Sequence, residues 1–367
     1  MSTKRTEPDT ARILEVGSHA IMKMAFPDRT TLLWAYHKLQ EPIEFYVPFS
    51  FKTAWKAWRD IRNGKFDLIV VWVEPYAPWN FRRLKGVVGR PFHPLSSLFR
   101  IFAVQMFRFV STATPIVAID NEDSRMIARH NVFLLDKVKY FFKRELPVDR
   151  WQVFQYSVHA GLPGFRFRTK PKNRRRVEKL RPISIGVVMT ESGAQQFNLP
   201  EKVTDVFAAL TLEGGTTVRN EGIKQLRALA KEGVVVDIPN ERLNPTEFRK
   251  RMSQAWLTWS PEGLGWDCFR HYEAPLAGSI PVINRPTIIR YAPLIDGVHA
   301  IYYEPDESKS LGDRIKAALG DKTRLREIIE QARAHVLKYH MRPRPFADAI
   351  VRMGLGYEDA PAGLLLD

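Results

Sequence analysis

An arginine and a glutamate one helical turn apart, Arg270 and Glu273, stand just beyond a glycine-bearing turn with Gly263 and Gly265. Spacing of i, i+3 puts both on one face of a helix. Backbone N–H groups left free at a helix start favour anions, and a diphosphate suits such a place. A plain surface salt bridge between the two, contributing a few tenths of a kcal/mol, fits the same spacing. Other ionisable residues follow strand-like runs. His19 comes after RILEV in a Gly-Ser turn, and Asp120, Glu122 and Asp123 come after PIVAID. Loops after parallel strands are where α/β proteins gather ligands, so these groups are candidates for moving a proton. Surface or capping roles remain open for each one singly.

These residues need elements to hold them. Ala255–Trp259 alternates as a strand, a helix pattern runs from about Asp267 to Ala277, and Ile280–Ile283 begins another buried strand. Phe269, Tyr272 and Leu276 form the apolar stripe expected to pack on the sheet. Pro275 falls inside that helix, where it removes a donor. Asp267 at the helix start suits a cap, and His271 stands four residues on, within pairing reach. Upstream, strands are expected at Arg12–Val16, Glu44–Phe49, Asp67–Glu74, Pro115–Asp120, Val132–Leu135 and Lys139–Glu145, with a Trp-rich amphipathic helix at Phe51–Arg62. DLIVVWVE is nearly all apolar, as in a parallel strand covered on both faces. After Pro182 the alternation restarts with strands Ile183–Met189, Gly233–Ile238 and Ala300–Glu304. Helices are expected at Val203–Leu210, Gly222–Lys231, Pro245–Gln254, Leu311–Ala318, Arg324–Tyr339 and Phe346–Met353. Two alternating α/β halves joined by a breaker predict two doubly wound domains.

The run S-P-x-G-x-G-x-x-C-F-R-x-Y-E-A-x-x-A-G-x-I-P-V-I resembles the signature of exostosin-type glycosyltransferases. It is carried here by Ser260, Pro261, Gly263, Gly265, Cys268, Phe269, Arg270, Tyr272, Glu273, Ala274, Ala277, Gly278, Ile280, Pro281, Val282 and Ile283. The resemblance implies the GT-B fold, an α/β architecture of two Rossmann-like doubly wound domains facing a cleft. The expected division is 1–165 for the acceptor side, 166–182 as a basic linker, 183–340 for the nucleotide sugar, and 341–367 as a C-terminal helix and tail. It also implies Arg270 near the donor diphosphate and Glu273 near ribose or sugar hydroxyls, with Gly263, Gly265 and Ser260 in the same donor loop. Lys143 and Arg144, in an FKRE stretch like one in related transferases, become candidate phosphate contacts. Asp120, Asp123 and His19 become candidate bases. The chemistry expected is transfer of a sugar from a UDP- or GDP-linked donor to a glycan or glycolipid, as in cell-surface polysaccharide synthesis. Protein cations would stand in for a metal, and no cofactor is expected beyond the nucleotide sugar as substrate. Position 265, eight residues before Glu273, is glycine rather than a second glutamate, which leans the mechanism towards inversion.

A chain of 367 residues with 45% hydrophobic content can bury two cores. Its single cysteine, Cys268, excludes an internal disulfide and cysteine-based metal sites. The polar opening MSTKRTEPDTARI and the lack of a long apolar run predict a cytoplasmic protein. Net charge of +16 implies an anionic partner surface. Contact with an anionic membrane is a candidate role for the basic aromatic segment Phe81–Phe109 and for residues 160–182, although a sheet-packed helix and a solvated linker explain them as well. A dinucleotide fold would show GxGxxG after its first strand, and a P-loop would show GxxxxGK[ST]; neither motif is present. A nucleic-acid-binding protein would explain the charge, but no binding module is recognisable, so no nucleic-acid partner is expected. An inactive sugar-nucleotide-binding homologue is the remaining alternative.

Overall fold

The computed structural model describes residues 6–35, 43–74, 102–155, 171–188, 200–209, 217–305, 307 and 310–357. The chain divides into two compact units. Met1–Ile183 with Ala347–Ala362 form the first, and Ser184–Phe346 with Gly363–Asp367 form the second.

The first unit is built on seven parallel strands: β1 (Ile13–Gly17), β2 (Thr30–Trp34), β3 (Val47–Pro48), β4 (Leu68–Trp72), β5 (Ile116–Asp120), β6 (Tyr140–Lys143) and β7 (Leu180–Pro182). They lie in the order β3-β2-β1-β4-β5-β6-β7. β4 and β5 are buried at every position, which is why LIVVW and IVAID are apolar almost throughout. Chain direction across the sheet reverses between β1 and β4. β1 leads outward to β2 and β3, whereas β4 leads the other way to β5, β6 and β7. That reversal opens a crevice at the strands' carboxyl ends. The helix Phe346–Leu355 returns to this unit: Lys139 Nζ donates to the Gly354 carbonyl at 3.1 Å.

The second unit holds β9 (Thr204–Phe207), β10 (Val236–Asp237), β11 (Ala255–Trp259), β12 (Ile280–Asn284) and β13 (Ile301–Tyr303), once the short β8 (Val187–Val188) has been passed. The five-strand order is β10-β9-β11-β12-β13, all pairs parallel. β14 (Met341–Arg342) pairs with β8 alone. Helices Thr217–Lys231, Ser310–Leu319 and Lys322–Tyr339 cover the sheet through Leu226, Leu229, Leu311, Ile315, Leu325 and Ile329, packed on Val206, Leu257 and Val282. Here the reversal falls between β9 and β11.

Several elements differ from the sequence-based expectation. Val203–Leu210, expected as a helix, contains β9 instead. Its run of Val206, Phe207 and Ala208 is too short to separate helix from strand, and pairing with both β10 and β11 decides the matter. β2 was not expected at all. Val132–Leu135, expected as a strand, gives way to a short helix at Leu134–Lys137. Glu44–Phe49 is a 3-10 turn followed by the two-residue β3. Of the expected linker 166–182, the described part is a helix, Pro171–Val177, and then β7, which joins the first sheet. The segment Phe81–Phe109 is described only from 102 on; there Ala103, Val104 and Phe107 are buried, and Phe102 and Phe109 are exposed. The Trp-rich helix spans Phe51–Arg62 as expected. Among the described residues no helix is long and apolar enough to cross a membrane.

Candidate functional site

In the first unit the crevice between β1 and β4 is assembled around Trp72. Gly17 ends β1 at φ 138°, and a Cβ there would stand 2.7 Å from Trp72 Cβ, so only glycine lets the two strand ends meet. The His19 ring then stacks on the Trp72 indole, with centroids 4.3 Å apart and an interplanar angle of 24°. Glu15, buried within β1, fixes that indole by accepting from Trp72 Nε1 at 2.8 Å, and it also takes the Met22 and Lys23 amides. Burial raises the Glu15 carboxyl to about 7. Ser18 Oγ donates to Glu74 Oε1 at 2.5 Å, bridging the ends of β1 and β4. Ser18 and His19 line a cavity of about 340 Å³ with Ala20, Met24, Leu32, Trp34, Phe45 and Tyr46.

The next two strand ends bring together the remaining expected residues. Asp120 is buried and accepts from Lys143 Nζ at 3.0 Å, Lys143 itself being wholly buried. The other Asp120 oxygen accepts from the Glu122 amide at 3.2 Å. Asp123 pairs with Arg144, and Arg144 Nε also lies 3.7 Å from Glu145 Oε1. Lys143 and Arg144, read from sequence as phosphate contacts, thus hold the carboxylates of the neighbouring loop. The carboxyl of Glu122, half-buried, is raised by burial and then by Asp120 and Glu74, while Arg144 and Lys143 oppose the shift. Glu74 was not singled out in the sequence. Its place as the last residue of an apolar strand run was the available signal.

In the second unit the loop between β11 and the helix Phe269–Leu276 is held rigidly. Ser260 Oγ and His271 Nδ1 are 2.8 Å apart, and His271 Nε2 is 2.8 Å from the Trp266 carbonyl. A carbonyl only accepts, so Nε2 carries the proton and Ser260 donates to Nδ1. Burial lowers the His271 pKa to about 3, which keeps the imidazole neutral. Ser260, expected in the donor loop, is fully buried and gives its hydroxyl to this bond. Asp267, expected as a cap, instead accepts from Tyr272 Oη at 2.6 Å and the Ile185 amide at 2.5 Å. His271 therefore pairs with Ser260 and not with Asp267. The N-cap is Cys268, whose side chain makes no capping bond. Phe269, expected against the sheet, is 49% exposed, whereas Tyr272 and Leu276 are buried.

Arg270 and Glu273 are both half-buried. Arg270 Nη1 donates to the Ala209 carbonyl, just past β9, at 3.2 Å, while its Nε is buried without a hydrogen-bond partner. The Glu273 carboxyl is raised by burial, with Arg270 and Arg249 drawing it back. A second cation joins them that the sequence did not flag. Arg219, in the first turn of the helix Thr217–Lys231, donates through Nε to the Glu262 carbonyl at 2.9 Å. Gly263 makes room for it, since a Cβ there would lie 2.8 Å from Arg219 Nη2. Burial and the nearness of Arg270 depress Arg219, with Cys268 and Glu262 opposing. Two half-buried guanidinium groups thus converge at two helix starts, at the reversal between β9 and β11. Such a place binds anions, phosphate above all.

Two domains of this topology, each with its candidate residues at the sheet reversal, define the GT-B class of fold, that of nucleotide-sugar glycosyltransferases. The particular relatives are known by structure alone. No family model matches the chain, and no curated protein matches it in sequence. The α-glucosyltransferase of phage T4, in complex with UDP and DNA containing an HMU base, is similar with TM-score 0.52 and 10% identity over 94% of this chain and 99% of that one. The same enzyme with UDP-glucose and DNA containing an abasic site gives 0.52 and 12% identity over 90% and 94%. A glycosyltransferase from Rickettsia africae gives 0.51 and 9% identity over 94% and 98%.

Proposed function

We propose that this chain is a nucleotide-sugar-dependent glycosyltransferase of exostosin-like type. The observation that carries the reading is the pair Arg219 and Arg270, two cations set side by side where a buried Nε has no protein partner. Like charges so placed are stabilised by an anion between them, and the departing diphosphate of a nucleotide sugar is such an anion. Glu273 is assigned the ribose or sugar hydroxyls. A raised pKa keeps part of its population protonated, so it can donate as well as accept. Positive charge from the two arginines does the work a metal does elsewhere.

The acceptor's proton goes to the first unit. His19, held on Trp72 at the mouth of a cavity, is the base best suited to it; Asp120 and Asp123 are already engaged by Lys143 and Arg144. Direct displacement with inversion follows from a single base and the glycine at position 265. The acceptor assigned is a glycan or glycolipid. A nucleic-acid acceptor is a second reading, supported by the net charge of +16 and by the DNA in the T4 enzyme's complexes.

Calorimetry against UDP- and GDP-sugars tests the proposal. Wild type should bind one of them, and Arg219→Ala and Arg270→Ala should each lose about tenfold to a hundredfold in affinity, the worth of one charge-assisted hydrogen bond. Both variants should keep the wild-type circular dichroism. Unchanged affinity in both, or stabilisation of wild type by duplex DNA with none by any nucleotide sugar, overturns the reading.

A further inference from the structure

The helix Phe51–Arg62 has a face that no protein group covers, and its composition is unlike that of an ordinary solvated helix. Of its residues only Ala57 and Ile61 are buried. Phe51 is 80% exposed and Trp55 64%, although side chains of this size are normally withdrawn from water. At 100° per residue, Phe51, Trp55 and Arg62 fall in one row, with Arg59, Lys52 and Lys56 flanking it. The helix is also preformed. Ser50 and Thr53 make a reciprocal capping box, with Thr53 N to Ser50 Oγ at 3.1 Å and Ser50 N to Thr53 Oγ1 at 2.8 Å. Asp60 is the helix's only acid, and it is paired with Lys65 at 3.2 Å.

We infer that this helix docks the first unit on an anionic lipid bilayer, with Phe51 and Trp55 entering the headgroup region and Lys52, Lys56 and Arg59 held at lipid phosphates. The inference does not depend on glycosyl transfer. Charge selects the partner: a second copy of this chain would set four cations against four, so self-association is opposed. Single-stranded nucleic acid needs free aromatic faces on which to stack. Here Trp55 is stacked on Trp58, with centroids 4.9 Å apart, and Arg62 lies 4.8 Å over Trp58. A bilayer interface takes aromatic rings by their edges as well as by their faces. Because β3 leads directly into Ser50, Phe51 begins at the strand-carboxyl edge that also carries His19 and Asp120. Docking there brings that edge to the lipid surface.

Co-sedimentation with vesicles of phosphatidylglycerol in phosphatidylcholine, against phosphatidylcholine alone, tests this on the full chain. Wild type should bind the anionic vesicles, lose that binding at high salt, and shift its tryptophan emission to the blue. Lys52→Gln with Lys56→Gln should weaken partitioning about 30-fold, at roughly 1 kcal/mol for each charge. Phe51→Ser with Trp55→Ser should weaken it at least about tenfold and leave the melting temperature unchanged, since both side chains lie in water. Absence of binding to anionic vesicles overturns the inference, as does equal binding by the serine variant. Capture of a single-stranded oligonucleotide, but not vesicles, through these residues also overturns it, in favour of a nucleic-acid surface.

Discussion

Replacing Gly222 by alanine adds one methyl group where the helix Thr217–Lys231 crosses β11. A Cβ at that position would stand 2.0 Å from Trp259 Cζ2 and 2.5 Å from Cη2. The indole cannot yield: it is fully buried, and its Nε1 donates to Tyr303 Oη at 3.1 Å. On an exposed helix the substitution would gain about 1 kcal/mol from propensity. Against this stands overpacking of a rigid ring, about 3 kcal/mol at the upper end of the usual range. The net loss of about 2 kcal/mol should lower the second unit's melting temperature by roughly 4–8 °C. Function should follow, because the displaced helix carries Arg219 in its first turn. Moving it breaks the approach to the Glu262 carbonyl and to Gly263, and nucleotide-sugar affinity should fall about tenfold or more. Trp259→Phe removes both clashing atoms. In that background Gly222→Ala should cost at least about 1 kcal/mol less, a coupling readable in a denaturation cycle. An alanine variant more stable than wild type, or one with no coupling to Trp259→Phe, would refute this account of how the helix is seated.

Two further outcomes concern charge. Lys143→Met leaves the Asp120 carboxylate buried and unpaired, and should destabilise the first unit by about 3–5 kcal/mol, most of it recovered when Asp120→Asn is added. If Lys143→Met folds normally but loses nucleotide-sugar binding, Lys143 is a ligand contact after all. Acidification should move the two units in opposite directions. His271 and His340 are buried with pKa values of about 3, below the unfolded value near 6.5. The unfolded state therefore takes up protons first, and stability is lost as the pH falls below about 6.5. The loss is up to about 2.7 kcal/mol per pH unit for the two together. Glu15 has the opposite sign: its pKa of about 7 lies above the unfolded value, so its contribution is complete below about 4.5 and lost as pH rises through 7. Hydrogen exchange from pH 7.5 to 5.5, corrected for intrinsic rate, should show less protection in β11 and more in β4. Movement of both in the same direction contradicts these assignments.

Much of the architecture could be read from local pattern. Parallel strands buried on both faces must be apolar along their length, so LIVVW, IVAID and IPVIN announce themselves, and the helix Phe51–Arg62 is bounded by its own capping residues. Arg270 and Glu273 were legible for a similar reason, since helical spacing alone puts them on one face. Beyond that, sequence separation hides the partners. Arg219 meets Glu262 and Gly263 across some forty positions, because two helix starts converge where the second sheet reverses. Asp120 and Lys143 are neighbours only through the register of β5 on β6. The same limit explains the misread elements. A short apolar run such as that around Val206 suits helix or strand equally until neighbouring strands take its backbone hydrogen bonds. Composition and periodicity determined two α/β halves and an anion-seeking helix start. Only the tertiary structure decided which charges neutralise one another and which, like Arg270 Nε, find no protein partner, because that depends on distances through space that the chain's order does not encode.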